Sequence, residues 1–312
     1  MFFSSRRLQE PALPVTRLVA AGLLWLTMAA QAAPTVLMAD LNGRYGSAVY
    51  HSRVSDAVQA IIALEPDVVI LAGDMIAGQA SPPLAAAQIA AMWASFDRVV
   101  YQPLHAAGIN VLAVPGNHDA SVYPAFSHER AAYADFWRDR LPRLGLSTGS
   151  QYPWYYGVDL GDSLFVGLDV TAPVQLSESQ EAFLALRRAE ARAGEQTLLV
   201  ASHLPLYPVA VGREREIFRS HLAPEPGEVW VSGHHHAYYA GITPGGGLQL
   251  SLPALGGNQR AWLGDKARSP FGFVSLNAGY QPILHAFPGF IGSSAELGPP
   301  KLGAMQRFAA ET

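Results

Sequence analysis

The sequence predicts an α/β sandwich built on mixed β-sheets. Three observations point there. Short apolar runs alternate with segments of helical period through the first half of the chain, and strand pairs dominate afterwards. Five of the predicted strands end in Asp, Asn or His, the pattern of a sheet whose C-terminal edge carries a site. The chain has 312 residues, half of them hydrophobic, enough for a large buried core without a convincing internal linker.

The first 32 residues are expected to stand outside that fold. Arg6, Arg7 and Arg17 precede an apolar stretch from Leu18 to Ala30, followed by Ala30-Gln31-Ala32. A positive head, a short apolar core and an A-x-A site read as a secretory signal peptide over 1–32. No second apolar span follows, so no membrane span is expected after its removal. The predicted destination is the bacterial periplasm or medium. Formal net charge is −4; losing Arg6, Arg7, Arg17 and Glu10 removes a net +2 and leaves −6. With no basic block, a nucleic-acid-binding module is disfavoured. Cysteine is absent, which excludes disulfides, cysteine-ligated zinc and a thiol nucleophile.

The folded domain is expected over 33–290. Thr35 to Ala39 is an apolar strand delivering Asp40 at its end. Val54, Ala57, Val58 and Ile61 repeat at helical spacing, and Pro66-Asp67 stops that helix. Val68 to Ala72 is a second buried strand, ending at Gly73-Asp74. Ile89, Met92, Trp93, Phe96 and Val100 mark one amphipathic helix whose aromatic stripe is core. Asn110 to Val114 is a third strand, ending at Pro115-Gly116-Asn117-His118-Asp119. A helical region surrounds Ala131 to Leu141. Tyr155 to Val170 reads as two strands turning at Gly161-Asp162. A helix over Ser177 to Ala193 has Ser177 or Ser179 as cap. Thr197 to Ala201 ends at Ser202-His203, and Val229 to Val231 ends at Gly233-His234-His235-His236. Short strands and Gly-rich turns fill Tyr238 to Phe287, with Gly245-Gly246-Gly247 a turn rather than a phosphate loop. From Pro288 the chain reads as irregular, giving an irregular tail over 291–312.

The strand-end residues are Asp40 with Asn42, Asp74, Asn117-His118-Asp119, His203, and His234 with His236. Carboxylate, amide oxygen and imidazole together suit borderline and hard divalent ions such as Mn, Fe, Zn, Co or Mg. They are too many for one tetrahedral ion and about enough for two, an arrangement that clamps a phosphoryl group. Were 234–236 extended, His234 and His236 would share a face and His235 would point away.

The ordered set Gly73-Asp74, Gly116-Asn117-His118-Asp119, Ser202-His203 and Gly233-His234-His235-His236 resembles the calcineurin-like metallophosphoesterases. The resemblance implies a four-layer αββα sandwich with a dinuclear metal site at the strand C-terminal ends. It implies that Asp74 bridges two divalent ions. Asp40 and His236 would hold the first, and Asn117, His203 and His234 the second. His118 would face the scissile phosphate and assist the leaving group as a metal-bridging hydroxide attacks phosphorus, with Asp119 orienting the imidazole. The substrate implied is a small phosphoester. The family's first motif is usually Asp-x-His, and here it is Asp40-Leu41-Asn42. The first ion therefore loses an imidazole. Asn42, water, or Tyr45 or His51 from the following loop could fill the position, and the weaker site would favour Mn or Mg over Zn. Arg260, in a Gly-rich loop, is a candidate substrate-binding residue. Trp154, Tyr155, Tyr156 and Tyr207 are possible pocket aromatics. The competing reading is a metal-binding scaffold without turnover, supported by Asn42 alone.

Overall fold

The computed structural model describes residues 33–171, 176–206, 222–243, 245–260, 268–287 and 290–293. All of them belong to one compact unit, Ala32–Thr312. The predicted signal peptide and most of the predicted tail lie outside the described residues, as does Tyr207.

Two six-stranded mixed sheets face each other. The first contains β1 (Thr35–Met38), β2 (Val68–Leu71), β3 (Asn110–Ala113), β10 (Phe271–Leu276), β11 (Pro282–Phe287) and β12 (Phe290–Ser293), in the order β12-β11-β10-β1-β2-β3. The second contains β4 (Tyr156–Asp159), β5 (Ser163–Gly167), β6 (Thr197–Ser202), β7 (Glu228–Ser232), β8 (Tyr239–Ile242) and β9 (Leu248–Ser251), in the order β4-β5-β6-β7-β9-β8. In the first sheet β1, β2 and β3 run parallel and β10, β11 and β12 add antiparallel beyond β1; the second sheet is parallel at its centre and antiparallel at both margins.

Side-chain alternation builds the layers. In β1, Val36 and Met38 face helices α1 (Ser52–Ala63), α2 (Ala86–Phe96), α3 (Gln102–Ala106) and α5 (Ser127–Arg138), while Leu37 and the next residue, Ala39, enter the core between the sheets. In β6, Leu199 and Ala201 join that inter-sheet core, and Leu198 and Val200 pack with α6 (Glu178–Ala193). The result is the four-layer αββα sandwich, with buried cores at all three interfaces.

Helix boundaries depart from the periodicity in two places. The run expected over Ile89 to Val100 ends at Phe96, passes through a wide π-helical turn at Asp97–Tyr101 and continues as α3. Pro103 lacks the N–H that an uninterrupted helix would donate to the preceding turn. The helix expected around Ala131 to Leu141 starts earlier and stops at Arg138, ahead of Pro142. A third correction concerns the tail. Phe290–Ser293 is a strand, pairing antiparallel with β11 from Ala286↔Phe290 to Ile283↔Ser293. Those backbone bonds satisfy an edge that would otherwise stand open, so regular structure extends past residue 290. The Ser177 cap forms as expected: its hydroxyl accepts from Gln180 N at 3.3 Å. The Gly245–Gly247 segment lies in the turn between β8 and β9.

Candidate metal centre

Parallel pairing brings the strand ends to one edge. Met38, Leu71 and Ala113 are aligned across β1, β2 and β3, so the loops carrying Asp40, Asp74 and Asn117 leave side by side. In the second sheet Ser202 and Ser232 are aligned, so His203 and His234 leave together. The two edges are joined at the site itself. His203 Nδ1 lies 2.9 Å from Ala72 O, and His234 N donates to both carboxylate oxygens of Asp40 at 3.1 and 3.2 Å. A Cβ on Gly233 would meet Ala39 Cβ, Ala72 O and Asp40 Oδ2, each at 2.9 Å, so glycine allows this approach.

Two clusters of candidate ligand side chains meet at Asp74. Asp40, Asp74 and His236 each offer a ligand atom, all within 4.8 Å of one another. His236 Nε2 stands 3.2 Å from Asp40 Oδ1. On the other side of Asp74, His203 Nε2 lies 3.2 Å from Asp74 Oδ1 and 3.0 Å from Asn117 Oδ1, and His234 Nδ1 lies 3.1 Å from Asn117 Oδ1. Asn42, nearly fully buried, reaches Asp74 Oδ2 with Nδ2 at 3.5 Å, and its Oδ1 has no hydrogen-bond partner. That orphaned oxygen beside a carboxylate is a vacant acceptor suited to a cation. The donor set fits two divalent ions.

The ring tautomers agree. A carbonyl only accepts, so Nδ1 of His203 donates to Ala72 O and Nδ1 of His236 donates to Asn258 O at 2.7 Å. Both rings therefore present the Nε2 lone pair. The chain turns sharply to aim these groups. Asp40, Asp74, His234 and His236 all have left-handed φ, between 53° and 67°. A non-glycine residue in that region costs about 1–3 kcal/mol, a strain characteristic of functional sites. This corrects the extended reading of 234–236: positive φ at His234 and His236, rather than strand alternation, places both imidazoles. His235 between them is half-buried.

The electrostatics show where positive charge is wanted. Burial alone would depress the His203 imidazole, but the charge of Asp74 and its hydrogen bond outweigh it and push the ring up to about 9. Burial opposes the charge on Asp74, yet His203 and His118 hold its carboxyl well below the ordinary range. His234, buried and beside His203, is driven well below its usual value. In the metal-free protein a proton on His203 stands where a cation would bind, so metal and proton compete there.

His118 sits over this centre on α4 (Asn117–Ala120), with Nε2 3.9 Å from Asp74 Oδ2. Its Nδ1 is held by Gly78 O at 2.8 Å. Asp119 is not the group that orients it. The Asp119 carboxylate is fully buried, with Oδ1 accepting from Ile76 N at 2.8 Å and Oδ2 from Gly116 N at 3.0 Å. It caps α4 and staples the Asp74 loop to the Asn117 loop. Burial and the neighbouring Asp74 charge push its carboxyl up to about 7.

A cleft of about 890 Å³ opens over His118, His236 and Asn42. Tyr45 and Arg260, both sequence candidates, line it, together with Arg44, which the sequence did not single out. Tyr45 is 64% exposed with its ring 5.2 Å from that of His118. His51 also reaches the cleft wall, but its Nδ1 accepts from Arg53 N at 3.2 Å as the cap of α1. The aromatic triplet does not contribute: Tyr156 is buried on Ala113, Trp154 stacks on Tyr133 and Tyr155 meets Phe183. His105, His128 and His285 pack against Tyr101, Leu84 O and Phe273 respectively, away from the centre. Gly78, Gln79 and Glu129 surround the site and carry no motif signal.

The fold is similar to a dimetal phosphatase from Danio rerio, with TM-score 0.55, 17% identity, and 84% of this chain and 96% of that chain covered. It is also similar to the structure of PhoD, with TM-score 0.59, 12% identity, and 84% and 68% covered. No curated protein matches the chain in sequence. Residues 34–238, which run from the start of β1 past the last histidine of the centre, match the calcineurin-like phosphoesterase family, and the chain belongs to that family.

Proposed function

We propose that the chain hydrolyses a small phosphomonoester with two divalent cations, and that it does so after export. The observation that carries the reading is the position of Asp74, whose carboxylate lies within reach of both ligand groups. Asp40, Asp74 and His236, with Asn42 beside them, would hold the first ion; Asp74, Asn117, His203 and His234 would hold the second. When bound, such ions supply a hydroxide near neutral pH and neutralise phosphoryl oxygens.

The chain's own residues do the rest. Asp40 and Asp74 bring negative charge that offsets the cations. The Gly78 carbonyl fixes His118 Nδ1–H, so the protonated ring carries its second proton on Nε2, facing the cleft. That proton passes to the leaving alkoxide and the ring returns to its Nδ1–H tautomer. A scaffold without turnover has no use for an imidazole held this way. Arg44 and Arg260 add positive charge to the cleft wall, which favours a monoester dianion over a diester.

The test compares an aryl phosphate with its bis-aryl diester under manganese, in the wild type and in His118→Asn. The expected result is faster monoester turnover, with His118→Asn slower by roughly 10²–10⁴-fold at unchanged metal content. Inactivity on both esters with metal bound refutes hydrolysis, and a faster diester refutes the substrate class. For export, N-terminal sequencing of protein recovered from the periplasm or medium is expected to begin at Ala33; an intact Met1 terminus there refutes cleavage.

A further inference from the structure

Asn117 can serve a cation only with its amide oxygen forward, yet an amide rotated by half a turn has nearly the same shape. The structure holds one orientation. Asn117 Nδ2 donates to Gln79 Oε1 at 2.7 Å, leaving Oδ1 toward His203 and His234. Gln79 is itself oriented, because its Nε2 donates to Ser121 Oγ at 3.2 Å. Its backbone is left-handed, with φ 60°, and its N–H donates to Glu129 Oε2 at 2.8 Å.

Glu129 has no role in the chemistry above, and it is costly to keep. It is fully buried on α5, and Oε1 has no hydrogen-bond partner. The described ion pairs do not include it. A buried carboxylate met by one backbone N–H is destabilising unless something is gained elsewhere. What it holds is the Gly78–Gln79 turn. Gly78 O accepts from His118 Nδ1, and Gly78 N donates to His118 O at 3.0 Å. A Cβ on Gly78 would lie 2.4 Å from His118 O and 2.6 Å from Glu129 Oε2, so the turn is packed directly between α5 and the site.

We propose that Gln79 and Glu129 are positioning residues: Glu129 pins the Gly78–Gln79 turn, and Gln79 locks the Asn117 amide with its oxygen toward the second cation. The assignment rests on the two-ion reading above. Neither residue touches substrate. Second-layer groups of this kind set ligand orientation and metal affinity.

The test is a Mn²⁺ titration of the metal-free exported chain, following free Mn²⁺ by electron paramagnetic resonance and unfolding by circular dichroism. The second site has the full ligand set, so it is the tighter one. Gln79→Leu is expected to weaken the tighter constant by roughly 10–100-fold and leave the weaker one in place. Glu129→Leu moves the same constant in the same direction. Glu129→Gln, which keeps an acceptor for the Gln79 N–H, restores most of it. Gln180→Leu removes a buried amide on α6 that bonds Asp169, away from the site, and serves as the stability control. Wild-type affinity in Gln79→Leu overturns the clamp, as does a loss no larger than that of Gln180→Leu. If Gln79→Leu does not fold, Gln79→Asn carries the test: it keeps the amide but falls one methylene short, and unchanged tight binding overturns the clamp. A wild type that binds no Mn²⁺ overturns the two-ion reading and the clamp with it; a wild type that binds two while Gln79→Leu binds both with wild-type constants overturns the clamp alone.

Discussion

Gly73, between β2 and Asp74, gives the sharpest test of how the fold serves the site. Its φ is +85°, and a Cβ there would lie 2.5 Å from His203 Nδ1, 2.7 Å from Cγ and 2.8 Å from Cβ. These are atoms at the root of a fully buried imidazole, so His203 has nowhere to yield. Two costs follow in Gly73→Ala. The left-handed backbone costs ~1–2 kcal/mol, and overpacking against His203 costs ~1–3 kcal/mol. Reduced freedom of the unfolded chain returns ~0.4–1 kcal/mol. The net loss is roughly 1–5 kcal/mol, with the larger part falling on His203. Gly108 isolates the first cost, since its φ is +84° and nothing lies within 4 Å of a Cβ there. Gly108→Ala is expected to lose no more than ~1–2 kcal/mol and to bind metal as the wild type does. Urea unfolding of both metal-free variants measures the stability difference, and metal titration shows whether Gly73→Ala alone loses affinity, by roughly 10–100-fold. Equal stability and equal affinity in the two variants would refute the claim that Gly73 is glycine to make room for His203.

Three other outcomes are expected. Asn42→His supplies the imidazole missing from the first group and should tighten the weaker ion by about tenfold or more in calorimetric titration; unchanged affinity would contradict the assignment of Asn42 to that ion. Glu228→Gln removes the carboxylate that Arg188 Nε meets at 2.5 Å between α6 and β7, with Glu225 Oε1 farther off at 3.7 Å, and should cost ~3 kcal/mol in urea unfolding without changing metal binding. His285 is half-buried, stacked on Phe273 at 4.5 Å, and burial lowers its imidazole below the ordinary value. The unfolded chain therefore takes up that proton first, so the neutral ring's contribution is present above pH ~6.5 and is lost as pH falls below it. His285→Gln should flatten the stability difference between pH 8 and pH 5.5; an unchanged difference would contradict it.

Much of this arrangement was legible in the sequence because strand ends announce themselves. Apolar runs that stop one after another at Asp40, Asp74, Asn117 and His203 point together to a crevice at the sheet edge, and parallel pairing aligns those stops. The helix faces at Val54–Ile61 and Ile89–Phe96 were equally plain, since 3.6-residue spacing is a one-dimensional signal. What was not legible depends on contacts between segments far apart in the chain. Asp119 follows His118 in sequence, but its carboxylate is taken by Ile76 N and Gly116 N, and the ring is held by the Gly78 carbonyl. A backbone carbonyl leaves no mark in a sequence. Nor does the left-handed turn at His234 and His236, because non-glycine residues seldom adopt it. Gln79 and Glu129 looked like ordinary polar residues until the fold set them behind Asn117.

In the proposed reaction one edge of the sandwich holds two cations that share Asp74. Equilibrium dialysis of the metal-stripped chain against increasing Mn²⁺, with elemental analysis of the retained ion, tests it directly. Two ions per folded chain, bound with unequal affinity and both lost in Asp74→Ala, are the expected result. A single ion at saturation, or two ions that survive Asp74→Ala, would contradict it.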